Sequence, residues 1–161
     1  DKYKKEIYMY CIKMLNNTHT AEDAVQEVFT KIFKFASGFK YNSSFKTWMY
    51  SIATNTCLTM LHKNKRNAEL SDSYKTVPSR CSSGRELRKP ILFKDASELD
   101  TIIKEKIQNL PEMQKTVLIL SVYENMSLEE ISNILNCSYD SAKQNLSIAK
   151  RKLREELNNI L

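Results

Sequence analysis

The sequence predicts an all-α protein made of two small helical domains joined by a flexible linker. Apolar residues recur every three or four positions over most of the chain, which is the spacing of amphipathic helices. Glycine occurs only 2 times and proline 3 times among 161 residues, so the turns of a sheet-rich fold are scarce. A hydrophobic content of 42% is sufficient for a packed core.

Residues 1–66 form the first predicted domain, in which the apolar spacing indicates three helices. Thr20, with Asp23 three residues later, resembles a capping box for the second helix. The third helix is expected from about Phe45 to Lys63, after a loop with turn-forming residues. The residues expected to face the core are Tyr3, Ile7, Tyr10, Cys11 and Met14, then Val25, Val28, Phe29, Ile32 and Phe33, and finally Phe45, Trp48, Met49, Ile52 and Leu61.

Residues 67–97 lose this spacing and are interpreted as the linker. The segment contains Pro78 and Pro90, and several serine and threonine residues lie near its single glycine. A connection of about 30 residues without a pattern of its own is long for the interior of a compact domain. We therefore expect residues 1–66 and 98–161 to form separate domains.

The second domain, residues 98–161, contains a helix-turn-helix pattern. Ser127 and Glu130 form a capping box that opens a short helix through Leu135. A tight turn follows, and Ser138 caps a longer final helix. The apolar stripe of that helix comprises Ala142, Leu146, Ala149, Leu153 and Leu157. A single stripe leaves the opposite face free to enter the major groove of DNA.

Charge supports a polyanionic partner for the final helix. The chain has a net charge of +6, yet residues 98–140 hold eight acidic and three basic residues, while residues 141–154 hold five basic and no acidic ones. Part of this cluster has a simpler explanation, because cations such as Lys152 and Arg154 also suit the end of a helix dipole. The segregation of charge nevertheless favours DNA binding.

The first domain combines basic residues with aromatic ones. It holds 11 Lys and Arg against 5 Asp and Glu, and eight of the 15 aromatic residues lie between Phe29 and Tyr50. Aromatic rings beside cations can stack unpaired bases. The alternative is that some of the rings are core residues, and we expect this for Phe29, Phe33, Phe45 and Trp48. Phe39, Tyr41 and Tyr50, in or beside the loop, are the expected surface rings.

The sequence disfavours several other classes of function. The four cysteines are Cys11, Cys57, Cys81 and Cys137. Their wide spacing indicates free thiols, and we expect no metal and no cofactor. The two glycines are far apart, which excludes the common glycine-rich nucleotide-binding loops. No catalytic constellation is apparent, so we expect no enzyme, and no apolar run approaches the length of roughly 20 residues that membrane insertion needs.

Both halves together resemble the extracytoplasmic-function (ECF) sigma factors, bacterial transcription initiation factors of the sigma-70 type. The first half carries AEDAVQEVFTKIF and FKTWMYSIATNTCLTMLHKNKR, which resemble the family's second conserved region. The second half carries LPEMQKTVLILSVYENMSLEEISNIL and SYDSAKQNLSIAKRKLREEL, which are similar to its fourth region. The two blocks occur in the expected order around the linker and cover nearly the whole chain.

The resemblance implies a cytoplasmic protein that directs core RNA polymerase to promoters and opens the DNA. The implied clamp-binding residues are Glu22, Asp23, Gln26 and Glu27. Those implied for the minus-ten element are Phe39, Lys40, Tyr41, Asn42, Lys46, Tyr50, Asn55, Lys63, Lys65 and Arg66. Those implied for the minus-thirty-five element are Ser141, Lys143, Gln144, Asn145, Ser147, Lys150 and Arg151. The implied partners are core polymerase (the clamp helices of its largest subunit, and its flap), promoter DNA and an anti-sigma factor.

Some positions differ from the family pattern, and one alternative function stays open. Thr54, Thr59 and His62 stand where the family often has Arg, Asp and Arg, and Asn145 and Ile148 replace frequent arginines. These differences leave the promoter sequence unpredictable. The alternative is a stand-alone helix-turn-helix regulator, which would bind specific duplex DNA without polymerase.

Overall fold

The structure, a computed structural model, describes residues 2–39, 42–72 and 96–158, and within these ranges it contains helices and no strand. The first half comprises α1 (Lys2–Leu15), α2 (Thr18–Phe35), a 3-10 turn (Ala36–Gly38) and α3 (Phe45–Asp72). The second half comprises α4 (Ala96–Gln108), α5 (Glu112–Val122), α6 (Leu128–Leu135) and α7 (Tyr139–Asn158). The predicted all-α fold class is confirmed.

The three helices of the first half pack on one another through the predicted stripes, with exceptions at both ends. Ile7, Tyr10, Cys11 and Met14 of α1 are fully buried, as are Ala21, Ala24 and Val28 of α2. The prediction was wrong for Phe33, which is 81% exposed, and for Tyr3 and Phe45, which are 43% and 41% exposed. Phe33 directly follows the inward-facing Ile32, and successive helix residues point about 100° apart.

Two helix boundaries differ from the prediction. The N-cap of α2 is Asn17 rather than Thr20, because the Asn17 side chain accepts a hydrogen bond from the Thr20 backbone N–H at 2.9 Å. Helix α3 continues to Asp72, so the first six residues of the predicted linker are helical. Residues 73–95, with Pro78, Cys81 and Pro90, lie outside the described residues. The last two residues of the predicted linker, 96 and 97, belong to α4.

The second half contains the predicted helix-turn-helix, formed by α6 and α7. The capping box is present: the Ser127 hydroxyl accepts from the Glu130 N–H, and the Glu130 carboxylate accepts from the Ser127 N–H. Ser138 accepts from the Ser141 N–H at 3.1 Å and caps α7. Ala142, Leu146 and Ala149 of α7 are buried, and Leu153 packs against the core.

Three turns of the described chain are made by asparagine in the left-handed region. Asn16 follows α1, Asn125 lies between α5 and α6, and Asn136 ends α6, with φ angles of 52°, 53° and 50°. Asparagine tolerates this conformation better than most residues because its short polar side chain bonds locally. Asn16 and Asn136 therefore take the position that glycine often takes after a helix.

The two halves pack against each other. Helix α3 contacts α6, and α1 contacts α5. Buried apolar side chains from both halves belong to one hydrophobic cluster. This packing decides which polar faces of the helices remain open to a partner.

Candidate nucleic-acid interface

The outer face of α7 is an open basic surface. Lys143, Gln144, Ser147, Lys150 and Arg151 are exposed, on the side of the helix opposite its buried stripe. The side chains can donate hydrogen bonds to base edges or to phosphates. The geometry therefore fits a recognition helix that follows a short supporting helix, α6, through a tight turn.

Two residues predicted for this face have partners within the helix itself. Asn145 is half-buried, and its side-chain amide donates to the Ser141 backbone carbonyl at 2.9 Å. The Arg151 Nε lies 3.9 Å from a carboxylate oxygen of Glu155, and both side chains are well exposed. An exposed ion pair of this length contributes little to stability, so Arg151 is available to a phosphate.

Four aromatic rings form a cluster where the 37–44 loop meets α3. The Phe39 ring centroid lies 5.0 Å from that of Trp48 and 6.1 Å from that of Phe45, while the Tyr3 and Phe45 centroids are 5.7 Å apart. Tyr3 and Phe45 are partly exposed, so the cluster presents ring surface beside the loop. Asn42 is exposed on the loop itself, and Lys40 and Tyr41 lie outside the described residues.

A polar, partly basic face runs along the outer side of α3. Asn55, Lys63, Lys65 and Arg66 are exposed. The Asn55 carbonyl accepts a hydrogen bond from the Thr59 hydroxyl at 2.8 Å. Lys63 and Arg66 are three residues apart and share one side of α3, whereas Lys65 projects from another side, so a polynucleotide backbone lying along the helix would meet two cations on one face.

The prediction that Tyr50 lies at the surface was wrong. Tyr50 is fully buried, its ring centroid is 5.2 Å from that of Tyr10, and its hydroxyl donates to Glu124 Oε2 at 2.5 Å. Burial, and then the hydrogen bond to Glu124, raise the pKa of Tyr50 far above its usual value. The second half covers this part of α3, which the local sequence pattern of the first half does not reveal.

Glu124 is the functional candidate that sequence reasoning missed. Its Oε1 accepts from Lys13 Nζ at 3.2 Å, its Oε2 accepts from Tyr50, and its backbone carbonyl accepts from Lys46 Nζ at 3.1 Å. The side chain is only 9% exposed. No local motif marks Glu124, because all three donors come from the other half of the chain.

The four residues predicted to bind the polymerase clamp share one exposed face of α2. Glu22, Asp23, Gln26 and Glu27 are all exposed, and Glu27 forms an ion pair with Lys31 at 2.6 Å. The exposed Phe33 lies further along the same helix. Helix α2 therefore offers an acidic surface with an apolar residue near its end.

The described residues offer no metal site and no membrane span, and their buried thiols are unreactive. They hold no group of three or more potential metal ligands, and none of their helices is long and apolar enough to cross a membrane. Cys57 donates to Cys11 across 3.7 Å, and both thiols are buried. That hydrogen bond, and then burial, raise the pKa of Cys57, which keeps the thiol protonated.

Comparison with known proteins identifies the two halves. The family model for Sigma-70 region 2 matches residues 1–67, and the model for Sigma-70, region 4 matches residues 100–153. The ECF RNA polymerase sigma factor SigW of Bacillus subtilis is 32% identical over 163 residues, covering 99% of this chain and 87% of the relative. The chain belongs to the ECF sigma factors. The resemblance noted in the sequence is thus confirmed, and the protein is an alternative RNA polymerase sigma factor.

Further relatives agree with this sigma-factor assignment. The RNA polymerase sigma-H factor of Pseudomonas aeruginosa is 26% identical, covering 99% of this chain and 84% of the relative. Among solved structures, the sigma factor RpoE in complex with the anti-sigma factor NepR from Bartonella quintana matches with a TM-score of 0.74 at 22% identity, covering 96% of this chain and 91% of that one. CnrH in complex with the cytosolic domain of CnrY matches with a TM-score of 0.67 at 16% identity, covering 95% and 80%. Both structural likenesses show the fold.

Proposed function

We propose that this sigma factor binds core RNA polymerase, directs it to two-element promoters and helps to open the DNA. The observation that carries the DNA-reading part is the exposed basic face of α7 on an intact helix-turn-helix. Lys143, Gln144 and Ser147 are placed to reach base edges of the minus-thirty-five element, and Lys150 and Arg151 to reach phosphates. Ser141 and Asn145 flank this face and would contact the same element from its edge, with the Asn145 side chain held by the Ser141 carbonyl.

The first domain, residues 1–66, would bind both the minus-ten element and the polymerase. The acidic face of α2, with Glu22, Asp23, Gln26 and Glu27, would bind the clamp helices of the largest subunit, and the second domain, residues 98–161, would meet the flap. The half-exposed rings of Phe39 and Phe45 would stack unpaired bases, a contact worth about 1–3 kcal/mol per base. Lys63, Lys65 and Arg66 would follow the backbone of the opened strand.

On this proposal the chain is not an enzyme and needs no cofactor, since polymerase supplies the chemistry of RNA synthesis. Its contribution is selective binding by two small surfaces. When polymerase holds both, the second contact becomes intramolecular and gains from a high effective concentration. We propose that the protein acts in the cytoplasm. We also propose an anti-sigma partner, because the structurally similar sigma factor RpoE was solved in complex with the anti-sigma factor NepR.

Run-off transcription with purified core polymerase and a pool of genomic promoters tests this function. We expect new specific transcripts only when the sigma factor is added, with starts at a fixed distance from two shared sequence elements. Specific duplex binding by the free chain, without any new transcript, would favour a stand-alone regulator instead. The transcripts would also identify the promoter sequence for the variants below.

A further inference from the structure

The first turn of α7 carries one carboxylate, directly before the basic segment of the helix. Asp140 is exposed, and residues 141–154, which follow it, hold five basic and no acidic residues. Gln144 and Ser147 come four and seven residues later, and both are exposed as well. Helix residues at this spacing share one face, so Asp140 belongs to the outer face of α7, at the end nearest the tight turn.

Asp140 and Gln144 lie on the middle line of this face, opposite the buried stripe. The buried stripe is formed by Ala142, Leu146 and Ala149. Since successive helix residues point about 100° apart, Asp140 and Gln144 each point more than about 150° away from the middle of the stripe. In helix-turn-helix proteins, the N-terminal residues of the second helix contact base edges. Asp140 therefore has the position of a base-reading side chain.

The Asp140 carboxylate is not used by the fold as a cap. The cap of α7 is Ser138, whose hydroxyl accepts a hydrogen bond from the Ser141 N–H at 3.1 Å. Within the described part of the chain, the Asp140 carboxylate has no hydrogen bond and no ion pair. The helix dipole modestly favours any anion in a first turn, and Glu129 has the same position in α6. Both carboxylate oxygens of Asp140 are therefore free to accept hydrogen bonds from a partner.

A carboxylate in the major groove is matched best by one base. Guanine presents two acceptors, thymine one acceptor and a methyl group, and adenine an acceptor beside its amine. Cytosine presents the donor amine N4 and no acceptor of its own. Phosphates also repel a carboxylate, because both are anions.

We propose that Asp140 is a specificity-determining residue, which accepts a hydrogen bond from the N4 amine of a cytosine at one position of the minus-thirty-five element. This rests on the proposed function, in which the outer face of α7 reads that element. The five cations of residues 141–154 supply the attraction to DNA. The single carboxylate adds discrimination, because guanine or thymine at its position places an acceptor against an anion.

The test compares polymerase holoenzymes that contain the wild type, Asp140→Asn or the matched control Glu129→Gln. Glu129 is exposed, and its replacement removes the same charge from the first turn of α6. Affinities for promoter duplexes that differ at one base pair of the minus-thirty-five element are measured by competition. We expect the wild type to prefer cytosine at one position by about tenfold. Asp140→Asn should lose that preference and favour adenine there, because an amide both donates to and accepts from adenine. Glu129→Gln should keep the wild-type preference at every position.

A measurement on the wild type does not depend on how the variant folds. Replacing the preferred cytosine by N4-methylcytosine removes the N–H that faces the major groove. We expect this change to weaken binding by about tenfold, as the loss of one base contact does. The same replacement at a cytosine outside the element is the control and should leave the affinity unchanged.

Four results would overturn the proposal. They are the absence of a cytosine preference in the wild type, equal affinity for the methylated duplex, unchanged preferences in a folded Asp140→Asn holoenzyme, and a gain for Asp140→Asn that is equal on all sequences. The last would mean that Asp140 only repels phosphates. A holoenzyme that distinguishes no base of the minus-thirty-five element contradicts the proposed function as well, whereas a recognised element without the changes at cytosine contradicts only the role of Asp140.

Discussion

Helices α3 and α7 carry the two proposed DNA-binding faces, and the structure leaves them in different states. The face of α7 is open, with Lys143, Gln144 and Lys150 exposed. On α3, by contrast, the end with Lys63 and Arg66 is exposed, but Lys46 and Tyr50 at its start are engaged by Glu124 of the other half. The difference arises from what packs on each helix, because α6 and the residues before it cover the start of α3. The outer face of α7 is formed by the second half alone. The exposure of the start of α3 depends on how the two halves pack.

Helix α6 lies between the two faces, since it contacts both α3 and α7. Ile131 of α6 is fully buried, and truncating it leaves a cavity in the core that supports both surfaces. We expect Ile131→Ala to lower the free energy of unfolding by about 2–5 kcal/mol, measured by urea denaturation. Val122→Ala, at a residue that is 51% exposed, is the control and should change it by less than about 0.5 kcal/mol. Similar losses for both variants would show that α6 does not support the two faces jointly.

The covered face is tested by removing one hydroxyl. In Tyr50→Phe the Glu124 carboxylate loses its 2.5 Å hydrogen bond but keeps its buried position. We expect a loss of about 1.5–3 kcal/mol in the free energy of unfolding, the usual contribution of a hydrogen bond to a charged group. Tyr139→Phe on the open helix α7, where the ring is 46% exposed, should cost almost nothing. Equal costs at the two positions would contradict the difference between the faces.

The open face is tested by removing one cation. Lys143→Ala should weaken binding of the polymerase holoenzyme to its promoter by about 1–3 kcal/mol and relax the preference at one position of the minus-thirty-five element. Lys104→Ala on α4 removes an exposed cation that is not part of the outer face of α7 and serves as the control. Promoter affinities are compared by competition with single-base variants of the element. A uniform loss on all sequences would assign Lys143 to a phosphate instead of a base.

The smallest expected effect concerns Glu130, which joins the capping box of α6 to Thr47 of α3. Its pKa is lowered, first by the hydrogen bond from the Ser127 backbone N–H and also by Thr47 and Lys46. A lowered pKa in the folded state means that the ionised carboxylate stabilises the fold above its ordinary pKa near 4.5, and that this is lost as the pH falls through the lowered value.

Glu130→Gln should therefore reduce the free energy of unfolding by about 0.3–1 kcal/mol at neutral pH, a typical value for an anion at a helix N-terminus. The difference from the wild type should shrink in urea denaturation at acidic pH, below the lowered pKa. Glu129→Gln changes the neighbouring exposed carboxylate and is the matched control. A difference that stays constant with pH would mean that the charge of Glu130 is not what stabilises α6.

Much of the fold could be predicted because the deciding interactions are local. The capping box of Ser127 and Glu130 lies within four residues, and the stripe of α7 follows from helix periodicity alone. The cap of α2 was misassigned because Asn17 and Thr20 are both good cap residues, and the choice depends on how the chain leaves α1. The family assignment came from two motif blocks in order, a combination that is far more specific than either helix pattern.

The candidate sites could be predicted less completely, because exposure depends on the other half of the chain. The pattern around Tyr50 shows an aromatic residue beside a polar loop, and nothing in it indicates that Glu124 covers the ring. The apolar run that includes Ile32 predicts a core position for Phe33, yet Phe33 is exposed. In both cases the sequence shows the chemical character of the side chain, while long-range packing decides what it contacts.

The asparagine turns at positions 16, 125 and 136 have a consequence for how the chain tolerates change. A left-handed backbone strains most residues, and glycine would relieve that strain but would give the unfolded chain more conformations to lose. Asparagine is a compromise between these two effects, so replacement by glycine should be nearly neutral, whereas a β-branched residue would be costly. A chain with only two glycines thus limits the entropy lost on folding while still reversing its direction sharply between helices.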